Sequence, residues 1–309
     1  MTGNGRIRGL RSAAPYLRLY KGTTLVLKVG GEVLGDRHAL AGFANQVSLL
    51  DQLGIKVVVV HGGGPQASRL AERLGIPVET VAGRRVTSSE TLEVAKMVYA
   101  GTLNTEVLAA LLRCQVQAVG LSGVDAGLVM ARRRPVIEME DPDSGRRLKV
   151  DFGWVGEVEA VAPHLLEHLL AGGFVPVVCS LAAGDDGAVY NVNADTIAAS
   201  LAVALKAAKL VLLTGMDGVL ADPGDPGSLI SHMDRGRLEA MLSGGARGGM
   251  HAKLQACRLA LDGGVPRTHI IGGLREDSLL IEVFTNEGCG TLIESVPVQA
   301  PAEPLSSGG

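Results

Sequence analysis

The strongest constraint on this chain is a repeated unit: a short unbroken Val/Leu/Ile run, then glycines, then a segment with helical patterning. Leu25-Val26-Leu27 leads to Gly30 and Gly31, and Val57 to Val60 leads to Gly62, Gly63 and Gly64. Val175 to Val178 and Leu210 to Leu213 repeat the apolar run. A strand that is apolar on both faces must be covered on both, and its alternation with helices predicts a parallel sheet between helical layers. The expected class is α/β, a three-layer αβα sandwich with a mainly parallel central sheet. Ligands then belong at the carboxyl ends of the strands. The 309 residues are ample for such a core.

Composition narrows the partners. Only 3% of residues are aromatic and the formal net charge is -3, so neither base stacking nor electrostatic attraction draws the chain to nucleic acid or anionic membranes. No apolar run approaches the roughly 20 residues that span a bilayer, and no signal peptide is evident. Cys114, Cys179, Cys257 and Cys289 are far apart and match no metal spacing, which predicts a reducing, cytoplasmic setting. The basic run Arg132 to Arg134 reads as a solvated loop. A β-hairpin excursion is expected over Val129 to Phe152, turning near Pro142 to Gly145, and a disordered tail over 296–309.

Five segments could carry chemistry. Lys28-Val29-Gly30-Gly31 ends the first strand; a lysine there is either a plain strand terminus or the partner of an anion held by glycine N–H groups. His61-Gly62-Gly63-Gly64-Pro65-Gln66 precedes a helix expected from about Ala67, and its glycines let ligand oxygens reach the main chain. The same run satisfies a loose dinucleotide pattern through Gly62, Gly64 and Ala67. His61 reads as structural. Gly83-Arg84-Arg85-Val86-Thr87 offers either surface charge or a guanidinium clamp for a carboxylate. Asn191-Val192-Asn193-Ala194-Asp195 places polar residues directly before an apolar helix, with Asp195 at a plausible N-cap. Gly244-Gly245-Ala246-Arg247-Gly248-Gly249-Met250-His251-Ala252-Lys253 places four glycines before a helix expected to carry Lys253 in its first turn, yet no Gly-Lys pair exists anywhere, which excludes a P-loop.

In chain order KVGG, HGGGPQ, GRRVT, VGLSG, VGEV, NVNAD, LLTGMDGVL and GGMHAKL resemble the amino-acid kinase family, and within it the acetylglutamate kinases of the arginine-sensitive type, from about Tyr16 to Ile293. The resemblance implies an N-terminal helix for oligomerisation or regulation (residues 1–22), an acetylamino-acid-binding lobe (23–190) and an ATP-binding lobe (191–295). It implies Lys28 and Lys253 on the transferring phosphoryl group and Asp195 ordering both. Gly63 and Gly64 would donate near the attacked carboxylate, Arg85 would bind the α-carboxylate and Asn191 would contact the substrate. Gly31 would donate to a phosphate, with Thr214, Asp222 and Met250 around the nucleotide. Implied ligands are N-acetyl-L-glutamate, ATP and Mg2+ held mainly by the ATP phosphates. Arginine as inhibitor is implied at His269, Glu282 and Gly288, in a homo-oligomer built from dimers up to a hexamer.

The chemistry of such a reaction suits that set. A γ-carboxylate is already ionised at neutral pH, so no general base is needed and the obstacle is anion meeting anion. Three places depart from the family pattern: Thr214-Gly215 where Thr-Asp is usual, Val124 and Ala126 where a lysine and a glycine are usual, and His269 to Leu274 in place of an Asp-Gly-Arg ending. The rival readings are a kinase for a related acylated amino acid of the aminoadipate type, an arginine sensor without turnover, and a nicotinamide enzyme built on the triple-glycine run.

Overall fold

The computed structural model describes residues 13–81, 84–140, 147–244, 246–285 and 287–295. The turn expected at Pro142 to Gly145, the start of the N-terminal helix and the 296–309 tail lie outside them.

Eight strands form the central sheet: β1 (Thr24–Val29), β2 (Lys56–His61), β3 (Ala118–Ser122), β4 (Val175–Cys179), β5 (Lys209–Thr214), β6 (His232–Asp234), β7 (Arg267–Gly272) and β8 (Thr291–Glu294). Their spatial order is β6-β8-β7-β5-β1-β2-β4-β3, and every neighbouring pair is parallel except β7 with β8. The mainly parallel sandwich is therefore as the sequence predicts.

The helices are α1 (residues 13–20), α2 (Gly31–Gly35), α3 (Arg37–Gln52), α4 (Gly64–Arg73), α5 (Ser89–Lys96), α6 (Asn104–Arg113), α7 (His164–Ala171), α8 (Ala194–Ala204), α9 (Arg235–Gly244), α10 (Gly248–Asp262) and α11 (Ser278–Phe284). A seven-residue π-helical stretch, Met97–Leu103, joins α5 to α6.

Side-chain alternation along each strand sorts the core into two layers. Leu25, Leu27, Val57, Val59, Val211 and Leu213 pack with Phe43, Val47, Leu111 and Val283 from α3, α6 and α11. Val26, Val58, Val60, Leu210 and Leu212 pack with Leu166, Ile197, Leu201 and Leu254 from α7, α8 and α10. Each such fully buried aliphatic contributes about 1.5–3 kcal/mol relative to exposure.

The excursion expected over Val129 to Phe152 is divided. Val129–Arg133 pairs with Gly156–Val161 and touches Leu181–Ala183, which pairs with Val189–Asn191 to complete a second, four-stranded sheet. Only Ile137–Glu140 and Arg147–Val150 form the hairpin. Pro135 separates the two, since a proline has no N–H for a continued ladder. Among the described residues no helix is long and apolar enough to cross a membrane.

Candidate active site

Alternation on β1 sends Lys28 to the same face as Val26, toward α8 and α10. There its Nζ lies 2.8 Å from Asp195 Oδ1, while Lys253 Nζ, from the first turns of α10, lies 3.6 Å from Oδ2. All three side chains are nearly buried. Burial alone would raise the Asp195 carboxyl, but the ammonium groups of Lys28 and Lys253 outweigh it and hold it below the usual carboxylate range. The Lys28 contact is short enough for a charge-assisted interaction with Oδ1, and the Lys253 contact is longer. One carboxylate between two ammonium groups leaves one positive charge over, in a place too dry for water to neutralise it cheaply. Such a cluster can receive an anion.

Asp195 is not the cap of its helix. Asn193 takes that role, its Oδ1 accepting from the N–H groups of Asp195 and Thr196 at 2.8 and 3.1 Å. The cap position read from sequence is thus corrected by two residues. The correction frees the Asp195 carboxylate to face the lysines, because the helix end is already satisfied.

Glycine turns at the ends of β1 and β2 crowd together beside this cluster. Gly30 N–H donates to Leu213 O at 2.9 Å, and the Gln66 side chain donates to Gly31 O at 2.7 Å. A Cβ on Gly31 would lie 2.8 Å from Pro65, and one on Gly63 would overlap Leu103 and come within 2.8 Å of the Tyr99 ring. Gly64 opens α4 and meets no atom within 4 Å where its side chain would be. His61 is fully buried; its Nδ1 faces Gly62 O at 2.9 Å and its Nε2 faces Asn104 Nδ2 at 3.2 Å. Burial pushes its pKa down to about 4, so the ring is neutral and braces the loop. That matches its structural reading.

Arg85 comes from the short pairing of Thr80–Val81 with Arg84–Arg85. Its Nη2 donates to Gly64 O at 2.9 Å and to Ser68 Oγ, which ties the guanidinium to the triple-glycine loop. Asn191 Nδ2 donates to Thr87 Oγ1 at 3.1 Å, joining the NVNAD and GRRVT segments. On the other side of the cluster, Thr214 ends β5 and accepts from Gly273 N–H at 2.7 Å. Met250 is half-buried at the start of α10. Asp222 sits in an exposed loop, where its carboxylate accepts from Gly224 N–H.

The residues expected to bind arginine gather elsewhere, around a cavity of about 260 Å³ that Tyr16 of α1 also lines. His269 Nδ1 lies 2.6 Å from Glu282 Oε1, and Glu282 Oε2 accepts from the N–H groups of Cys289 and Gly290 at 2.7 and 3.1 Å. Gly288 adopts φ +61°, and a Cβ there would approach Glu282 to 2.9 Å. Burial lowers the His269 pKa to about 4. Burial raises the Glu282 carboxyl, yet the His269 hydrogen bond and the two backbone donors bring it to about 2. His269 Nε2 is buried with no partner among the described residues.

Residues 23–272 match the model of the amino acid kinase family. The chain belongs to that family. Among its relatives in the family, the acetylglutamate kinase of Myxococcus xanthus is 47% identical over 95% of this chain and 96% of its own length. The acetylglutamate kinase of Symbiobacterium thermophilum is 44% identical over 92% and 96%. Among solved structures, the N-acetylglutamate synthase of Neisseria gonorrhoeae with coenzyme A and N-acetyl-glutamate is 31% identical with a TM-score of 0.80. That match covers 94% of this chain but only 64% of the synthase. A carbamate kinase of Giardia, at 16% identity and TM-score 0.61 over 89% of this chain and 99% of its own, shares the fold.

Sequence reasoning missed Asn104, Ser68 and the capping role of Asn193. Asn104 and His61 are 43 residues apart, with no local pattern to connect them. Asn193 stood inside a segment already singled out and Ser68 two residues past another, and only the fold shows which atoms they meet.

Proposed function

We propose that the site transfers the γ-phosphoryl group of ATP to the γ-carboxylate of N-acetyl-L-glutamate, giving the acyl phosphate and ADP in arginine biosynthesis. The observation that carries this reading is the buried Asp195 carboxylate holding Lys28 and Lys253 together at the strand ends. Preorganised positive charge in a dry site lowers the barrier between an anionic nucleophile and an anionic phosphate. The nucleophile is ionised already, which fits a cluster with no free acid or base.

In this reading Lys28 and Lys253 stabilise the transferring group and Asp195 orders them. Gly63 and Gly64 donate near the attacked carboxylate, Arg85 takes the α-carboxylate, and Asn191 contacts the acylamino acid. Gly31 donates to phosphate, and Thr214, Met250 and the Asp222 loop surround the nucleotide. Residues 23–190 would then be the acylamino-acid lobe and 191–295 the nucleotide lobe, acting in the cytoplasm. Mg2+ would be held mainly through the phosphate oxygens of ATP, where it would supply charge neutralisation.

A coupled ADP-release assay across acylated acidic amino acids, with hydroxamate trapping of the product, tests the assignment. Turnover highest with N-acetylglutamate and a trapped hydroxamate are expected. Preference for an acylated aminoadipate would move the substrate by one methylene, and absence of turnover would leave a sensor.

We also propose that arginine binds the cavity at His269, Glu282 and Gly288 as a feedback inhibitor, in a dimer-based oligomer joined through the N-terminal segment. The unpaired, neutral Nε2 of His269 supports this, because it can accept from a cationic N–H donor. An unchanged rate in millimolar arginine would dispose of it.

A further inference from the structure

Glycine at 215 has a neighbour that the sequence did not connect to it. Gly215 follows Thr214 at the carboxyl end of β5, next to the Gly30-Gly31 turn that follows β1. Glu32, in the first turn of α2, lays its side chain across both turns. Its Cγ, Cβ and Cδ lie 3.3, 3.4 and 3.6 Å from where a Cβ of Gly215 would be, and its Oε2 lies 3.0 Å from where a Cβ of Gly30 would be. The room left by one missing side chain is occupied by another, and it ends in a carboxylate. Glu32 is exposed, and no described side chain pairs with it.

A lone carboxylate over a phosphate-binding turn is unfavourable by itself, since it repels the polyphosphate the turn would hold. It becomes favourable once a divalent cation stands between them, and Mg2+ is commonly held by one or two carboxylates together with substrate phosphates. We propose that Glu32 is a positioning carboxylate for the magnesium of the bound nucleotide, and that residue 215 is glycine because the Glu32 stem fills its side-chain space. This rests on the reading of the Lys28 to Gly31 turn as a nucleotide site, and adds to it a determinant of preference for MgATP over metal-free ATP.

Titration calorimetry with MgATP, and with ATP in excess EDTA, tests it on the whole protein. Glu32→Gln keeps the shape and removes the charge. It should bind metal-free ATP more tightly and MgATP more weakly, so that the ratio of the two affinities falls tenfold or more. Glu32→Ala should lose the preference equally, and adding Gly215→Asp to Glu32→Ala should restore most of it, because the vacated room then takes an acid from the other strand end. An unchanged ratio in Glu32→Gln overturns the proposal, as does a double variant whose ratio stays at that of Glu32→Ala. Wild-type protein that binds neither form would fail the nucleotide assignment itself. Wild-type binding with an insensitive Glu32 variant would fail this inference alone.

Discussion

Among the described residues two buried charge clusters handle charge in opposite ways. At the strand ends of the central cleft, Asp195 is outnumbered by Lys28 and Lys253, and the excess is positive. At the 260 Å³ cavity, Glu282 is saturated by His269 and two backbone N–H groups, and His269 is neutral. The first arrangement keeps charge available for an incoming anion. The second spends its donors on one carboxylate and leaves a single acceptor nitrogen open. Burial is shared by both; only the balance of donors and acceptors separates a cluster suited to group transfer from one suited to recognition.

The contrast can be broken most forcefully at the cleft. Lys28→Ala and Lys253→Ala should each lower kcat by about 10²–10³ or more, comparable to removing one preorganised donor from a transition state. Melting temperatures should change little, because each deletion also relieves a buried charge. A Lys28→Ala enzyme with normal turnover in the ADP-release assay would contradict the phosphoryl-transfer role.

At the cavity the expected effect is on stability. The hydrogen bond from His269 and the two backbone donors hold the folded Glu282 carboxyl at about 2, below its ordinary 4.5, so its contribution to stability is fully present above about pH 4.5 and lost as pH falls through about 2. The histidines act at higher pH. His61 and His269 stay neutral in the fold down to about pH 4, whereas unfolded histidine takes up a proton near 6.5. The unfolded state therefore binds more protons over that window, and stability should fall as pH drops from about 6.5 to 4. Denaturant melts across this range should flatten on the acid side in a His61→Gln variant, which has no such proton to refuse.

Arg85→Ala should raise KM for the acylamino acid by about 10–100-fold with a smaller change in kcat, the loss of one charge-assisted pair. The smallest effect is expected at Gly63→Ala. The added methyl must displace Leu103 or Tyr99 at a cost of about 1–3 kcal/mol, read as a lowered melting temperature.

Much of this was legible in the sequence for a physical reason. Fully buried parallel strands must be apolar throughout, so β1, β2, β4 and β5 announce themselves, and glycines mark where backbone meets backbone or ligand. Lys28 and Lys253 stand out because a lysine at a dry strand end or beside a glycine loop needs an anion. The partners that complete the site were not legible. Asn193 outcompeted Asp195 for the helix cap by backbone geometry that no spacing rule resolves. Val129–Arg133 left the hairpin for a second sheet because its partner, Gly156–Val161, lies beyond the intervening excursion.

The π-helical stretch Met97–Leu103 places Tyr99 and Leu103 beneath Gly63, and hands the chain on to α6 at Asn104, whose amide meets His61. A wide turn of this kind carries one more residue than a regular helix would need. Deleting one residue between 97 and 103 would let the run close into an ordinary α-helix between unmoved flanks, so that α6 and Asn104 would keep their orientation. What would change is the bulge itself, and with it the packing of Tyr99 and Leu103 against Gly63. The cost of losing a residue here should therefore fall on the triple-glycine loop rather than on the fold as a whole.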